Sequence, residues 1–148
     1  MAMPSDIRAF NRSVIEEFRA NNGRVSDERL RHAPLVLLTT IGVRTGQPRT
    51  TPLAYFSDGA SRIVLWASAL AALAHPAWYR NLVANPRVTI ELATDTGVVT
   101  RLDGTASTAQ GAQRDRLFGI LKAVNPGAAA HQDRTDREIP LVVVDYVD

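Results

Sequence analysis

Two arginines, Arg44 and Arg49, flank the Thr-Gly and Gln-Pro pairs within IGVRTGQPRTTPLAYFSDG, residues 41–59. A guanidinium is a planar fork of donors that stays charged at any working pH, and its geometry matches phosphate and carboxylate oxygens. Thr45, Thr50 and Thr51 add hydroxyls to the same stretch, and the amides of a turn add neutral donors. The residue types and their spacing suit an anionic ligand held where one strand turns into the next, and they suit equally an exposed turn, where arginines are common.

The rest of the chain offers no self-contained reactive constellation. Gly42 and Gly46 lack the third glycine of a dinucleotide fingerprint, and Gly46-Gln47 lacks the Gly-Lys of a phosphate loop. There is no Gly-x-Ser-x-Gly elbow and no His-Glu-x-x-His, and Asp136 and Glu138 read as solvated loop charges. The chain has no cysteine, and His32, His75 and His131 stand far apart, so no metal site is expected. An enzyme of this composition depends on a bound cofactor for its chemistry.

Composition sets the frame for those arginines. At 148 residues, with 45% hydrophobic and 22% charged residues, the chain suits one domain over 1–148 and excludes disorder. A net charge of +2, with Lys122 the only lysine, gives no basic stripe, and no aromatics interleave the arginines, so no nucleic acid is expected. The N-terminus has no apolar h-region and no run reaches membrane-spanning length, which points to the cytoplasm.

Several elements must position the turn. Ile7, Phe10, Val14 and Phe18 recur at helical spacing after Ser5, giving an amphipathic helix over about 5–22 that Asn21-Asn22-Gly23 ends. Strands are expected at Pro34 to Ile41, Pro52 to Phe56, Ile63 to Ala67, Arg87 to Leu92, Val98 to Leu102 and Leu141 to Tyr146. A short helix follows His75-Pro76, carrying Trp78, Leu82 and Val83 toward the core until Asn85-Pro86. A further helix spans about Thr108 to Val124, burying Leu117, Ile120 and Leu121, and a loop follows it. Hairpin-linked strands that do not alternate with helices predict an α+β fold, a small antiparallel barrel flanked by helices.

Four segments, LLTTIGVRTGQPRTTPL, LWAS, HPAWYRNLVANPRVTIE and TDREIPLVVV, run in order from about residue 37 to 144. Together they resemble the deazaflavin-dependent nitroreductase family of split β-barrel oxidoreductases, related to the wider FMN-binding split-barrel group. The resemblance implies a six-stranded split barrel and hydride transfer from reduced coenzyme F420 to an electron-poor acceptor such as a quinone, enone or nitroaromatic. That cofactor is a 5-deazaflavin with an acidic tail of phosphate and glutamates, which gives the two arginines a ligand. By the same resemblance, Arg44, Thr45 and Arg49 face the tail, while Thr51, Pro52 and Leu53 line the cofactor. Ala67 and Ser68 approach it from the end of the third strand, and Trp78, Tyr79 and Asn81 stand on the helix beside it. Ser68 and His131 are the candidate proton donors.

The pattern departs from the family twice. After Ser68 many relatives continue with a lysine and two glycines, whereas this chain reads Ala69-Leu70-Ala71-Ala72-Leu73-Ala74. Where the best-known members place tyrosines over the substrate, this chain offers Asn125, Ala128 and His131, which argues against nitroimidazole activation. The alternatives are FMN on the same barrel, or a noncatalytic barrel holding a lipid, with peripheral membrane contact through the first helix. A monomer and a homodimer are both compatible with the sequence.

Overall fold

The computed structural model describes residues 7–26, 34–67, 76–93, 97–135 and 138–147. Its strands are β1 (Leu35–Ile41), β2 (Pro48–Ala54), β3 (Phe56–Ser57), β4 (Arg62–Trp66), β5 (Arg87–Ala93), β6 (Val99–Thr108) and β7 (Leu141–Tyr146). All pair antiparallel in one sheet of order β2-β1-β5-β6-β7-β4-β3. β2 and β3 are the two edges of that sheet, yet only Tyr55 separates them in sequence. A sheet whose opposite edges are one residue apart must curl until they meet, and this produces the split half-barrel.

Seven strands form where six were expected. The expected Pro52–Phe56 strand divides at Tyr55, because Phe56 leaves β1 and pairs with Val64 instead. β2 starts earlier, at Pro48 opposite Ile41; a proline without an N–H is tolerated as the first residue of an edge strand. β6 runs past its expected end at Leu102, through Asp103-Gly104 to Thr108. Gly104 allows this because β7 lies against it: an added Cβ would stand 2.9 Å from a Val144 methyl and 3.1 Å from the Asp145 carbonyl.

The period of two divides each strand between two faces. On the concave side Val36, Leu38, Ile63, Leu65, Ile90, Val142 and Val144 are fully buried, with Trp78 and Leu82 of helix α2 (Ala77–Ala84) packed onto them. Side chains thus pack the interior of the sheet among the described residues.

On the convex side helix α1 (Ile7–Ala20) buries Val14 and Phe18 against Leu35 and Leu37. It ends at Asn22 and Gly23, both at positive φ (57° and 89°), with the Gly23 N–H on the Phe18 carbonyl at 2.7 Å. The sheet therefore covers Val14 and Phe18 of the apolar stripe read as a possible membrane contact. Among the described residues no helix is long and apolar enough to cross one.

Helix α3 (Gly111–Val124) packs Leu117 and Leu121 beside Phe56, Val64, Leu141 and Val143, with Ile120 only half-buried. It begins later than expected because Thr108 stays in β6 opposite Val142. The stretch expected as a loop holds helix α4 (Pro126–Ala129) and a 3₁₀ turn, Ala130–Arg134. Asn125 caps α4 by accepting from the Ala128 N–H at 3.1 Å.

Candidate functional site

The β1–β2 connection, Gly42 to Gln47, is a closed loop. Gly42 N–H donates to the Gln47 carbonyl and Gly46 N–H to the Gly42 carbonyl, each at 2.9 Å. Gly46 sits at φ 69°, a conformation that disfavours residues with a Cβ. The Thr45 hydroxyl accepts from Gln47 N–H at 3.2 Å, which leaves its own O–H as a donor. An added Cβ on Gly42 would lie 2.8 Å from that Thr45 oxygen and 3.9 Å from Arg49 Cγ, so both side chains stand close over the glycine.

Register decides which residues share a face. Arg49 lies opposite Thr40, Thr51 opposite Leu38 and Leu53 opposite Val36, so β2 turns Arg49, Thr51 and Leu53 toward the concave side. Pro52 lies opposite Leu37 on the α1 side. Three consecutive strand residues cannot all line one cavity, so the Pro52 ring stands apart from its two neighbours. Thr50 faces the convex side too, sharing a 2.7 Å hydroxyl hydrogen bond with Thr39.

Arg44 and Arg49 are exposed and have no carboxylate partner among the described residues. The backbone N–H groups of Arg44 and Thr45 also carry no hydrogen bond among those residues. Two guanidiniums without a carboxylate partner, two open amides and a hydroxyl thus lie within residues 44–49, on the loop and the first residues of β2, among the described residues. This donor set fits a polyanionic tail.

Helix α2 closes the site from the other side. Asn81 is 8% exposed; its Oδ1 accepts from Val43 N–H and its Nδ2 donates to Thr40 Oγ1, both at 3.1 Å. Its carbonyl oxygen and one N–H of its amide are thus engaged by the protein, which ties α2 to the loop. Trp78 is buried in the concave core, and Tyr79 meets it edge-on with ring centroids 6.3 Å apart. The Tyr79 hydroxyl lies 2.9 Å from Thr108 Oγ1. Ala67 is fully buried, with its N–H on the Pro140 carbonyl at 3.0 Å.

Ser68, the 69–74 run and the His131 side chain lie outside the described residues, so the two candidate proton donors stay expectations of sequence. Ala128 is buried against α3, and the Asn125 side chain is a helix cap. Arg114, which sequence gave no reason to single out, ties the Ala130–Arg134 turn to Ile139, just ahead of β7. Its Nη2 donates to the Ile139 carbonyl at 3.0 Å and to Gln132 Oε1 at 3.3 Å, while Gln132 Oε1 accepts from Ile139 N–H at 2.8 Å.

An open groove of about 610 Å³ lies on the convex face among Thr39, Ile41, Arg87, Thr89, Asp103 and Asp145, and neither Arg44 nor Arg49 lines it. The shifted titrations also lie elsewhere. The Arg116 fork, at 2.9 and 3.0 Å, holds the Asp58 carboxyl below its ordinary value against the opposing effect of burial. The hydrogen bonds that Arg19 donates to Glu91 raise the pKa of its guanidinium.

Similarity to known proteins agrees with this arrangement. An F420H(2)-dependent quinone reductase of Mycobacterium tuberculosis is 37% identical over 130 residues, covering 86% of this chain and 83% of that protein. A solved structure described as an F420-H2 dependent reductase (FDR-A) superposes with a TM-score of 0.65 at 31% identity, over 82% of this chain and 98% of its own. Another, a domain-swapped dimer, does so with a TM-score of 0.68 at 30% identity, over 97% and 100%. The family described as F420H(2)-dependent quinone reductase matches residues 10–146. A split barrel with an open cationic loop, this similarity and that match lead to one assignment: the chain belongs to the F420H(2)-dependent quinone reductase family.

Proposed function

We propose that the protein reduces a quinone with hydride from reduced F420, held by its acidic tail at the Gly42–Gln47 loop. The observation that carries the reading is the pair Arg44, on the loop, and Arg49, at the start of β2, two guanidiniums without a carboxylate partner among the described residues. Arg44, Arg49, the Thr45 hydroxyl and the open amides would hold the tail, and Thr51 and Leu53 on the concave face of β2 would border the rest of the cofactor. Bound there, the reduced deazaflavin supplies a hydride. Quinone reduction to hydroquinone takes one hydride and one proton, and solvent would supply the proton.

The protein's own task is orientation. Leu53 and Tyr79 pack on the concave core, so that core gives the ring and the acceptor an apolar wall. Positioning of this kind accelerates a transfer that needs no protein nucleophile. The domain-swapped dimer among similar structures supports a homodimer as the assembly to test by light scattering.

The experiment is a titration with F420 and, separately, FMN, followed by fluorescence, and then F420H2 oxidation with a quinone. Tight F420 binding with quinone-dependent oxidation is expected. Binding of FMN alone, or no turnover with any quinone, would sink the proposal.

A further inference from the structure

Arg49 is held at the start of β2 by its pairing with Thr40, but Arg44 stands on the loop, whose own hydrogen bonds do not join it to the rest of the barrel among the described residues. Those bonds run within the loop: Gly42 to Gln47, Gly46 to Gly42, and Gln47 to Thr45. The link from the loop to another element is Asn81 on α2. Its partners are telling, since Val43 is the residue before Arg44 and Thr40 is the cross-strand neighbour of Arg49. One buried amide thus reaches the backbone N–H of the residue before Arg44 and the side-chain hydroxyl of the residue opposite Arg49.

Only an amide side chain does this without rearrangement. The Val43 N–H can only donate, so it fixes Oδ1 on that side and turns Nδ2 toward the Thr40 hydroxyl. A carboxylate would bury a charge there, and an apolar side chain would leave the Val43 N–H unsatisfied. Asn81 also lies on the inward stripe of α2 with Trp78 and Leu82, where a polar residue is retained only with partners.

We propose that Asn81 is a positioning residue for cofactor-tail recognition, fixing the Arg44–Arg49 loop to the helix that carries Trp78 and Tyr79. The inference rests on the tail-binding reading of that loop. It separates two ligands: F420, and the deazaflavin riboside that has the same ring without phosphate and glutamates. Losing the Asn81 bridge loosens the loop and penalises the ligand with the tail, whereas general damage to the barrel penalises both.

The test compares affinities of the full-length protein for both deazaflavins by fluorescence titration. Asn81→Leu, which keeps the side chain's bulk, should weaken F420 binding roughly three- to tenfold and leave riboside binding unchanged. Thr40→Val removes the other end of the link with little change in shape and carries the test should Asn81→Leu fail to fold. Without Arg44 and Arg49, replaced together by alanine, Asn81→Leu should have no further effect on F420 affinity. Equal weakening of both ligands, or an unchanged ratio in the folded variants, overturns the inference alone. Equal affinity of the unaltered protein for both overturns the tail-binding reading and this inference with it.

Discussion

Arg19 of α1 grips Glu91 of β5 with both prongs of its guanidinium, Nε to Oε1 at 2.9 Å and Nη2 to Oε2 at 2.8 Å. The Glu91 carboxylate is buried beneath α1, while Arg19 remains half in solvent. The pair joins the first helix to the sheet at a point where apolar packing alone would leave a charge stranded. Removing the fork with Arg19→Ala should cost about 1–3 kcal/mol of stability, read by chemical denaturation. Glu91→Gln should cost less, because the amide keeps one acceptor. A fully stable Arg19→Ala variant would show that water satisfies Glu91 equally well.

At the loop, Arg44→Ala and Arg49→Ala should each weaken F420 binding by about 1.5–3 kcal/mol if each makes a charged hydrogen bond. Both side chains are exposed, so wild-type affinity should also fall as salt rises. An unchanged dissociation constant in the double variant would refute the assignment of the tail.

Trp78 should behave differently from the arginines. It is buried among Leu65, Ile90 and Val142 in the concave cluster, so Trp78→Ala should destabilise the fold by about 3–5 kcal/mol. Thermal melts and activity of the same variant distinguish the two roles. Lost turnover with an unchanged melting temperature would mark Trp78 as a ligand contact rather than core.

Acid stability should depend on Asp58. Its folded-state pKa lies below the ordinary value of 3.8, chiefly through the Arg116 hydrogen bonds. A depressed carboxylate pKa contributes stability that is present above the unfolded value and lost as pH falls through the folded one. Asp58→Asn should therefore flatten the acid limb of the stability curve below 3.8 and leave its shape near neutrality unchanged. Denaturation midpoints across that range give the answer, and an identical acid limb in the variant would rule the ion pair out.

Much of the site was readable because its signals are local. The donor types of Arg44, Thr45 and Arg49, the inward helical spacing of Trp78 and Leu82, and the alternation of Val88, Ile90 and Leu92 all lie within short windows. Asn81 had a local signal as well, a polar residue between Trp78 and Leu82 on an inward stripe, but not its partners. Thr40 and Val43 are brought to it by a contact 41 and 38 positions away in sequence.

From the chain alone came the class of fold, the cationic loop and the need for a borrowed cofactor, because periodicity and side-chain chemistry act over a few residues. Which face each β2 residue takes, the separation of Pro52 from Thr51 and Leu53, and the burial of Glu91 under α1 were decided only in three dimensions. So were the division of one expected strand at Tyr55 and the passage of β6 through Asp103-Gly104. All of these follow from strand register and helix docking, in which distant segments compete for the same partners, and no short stretch of sequence records the outcome of that competition.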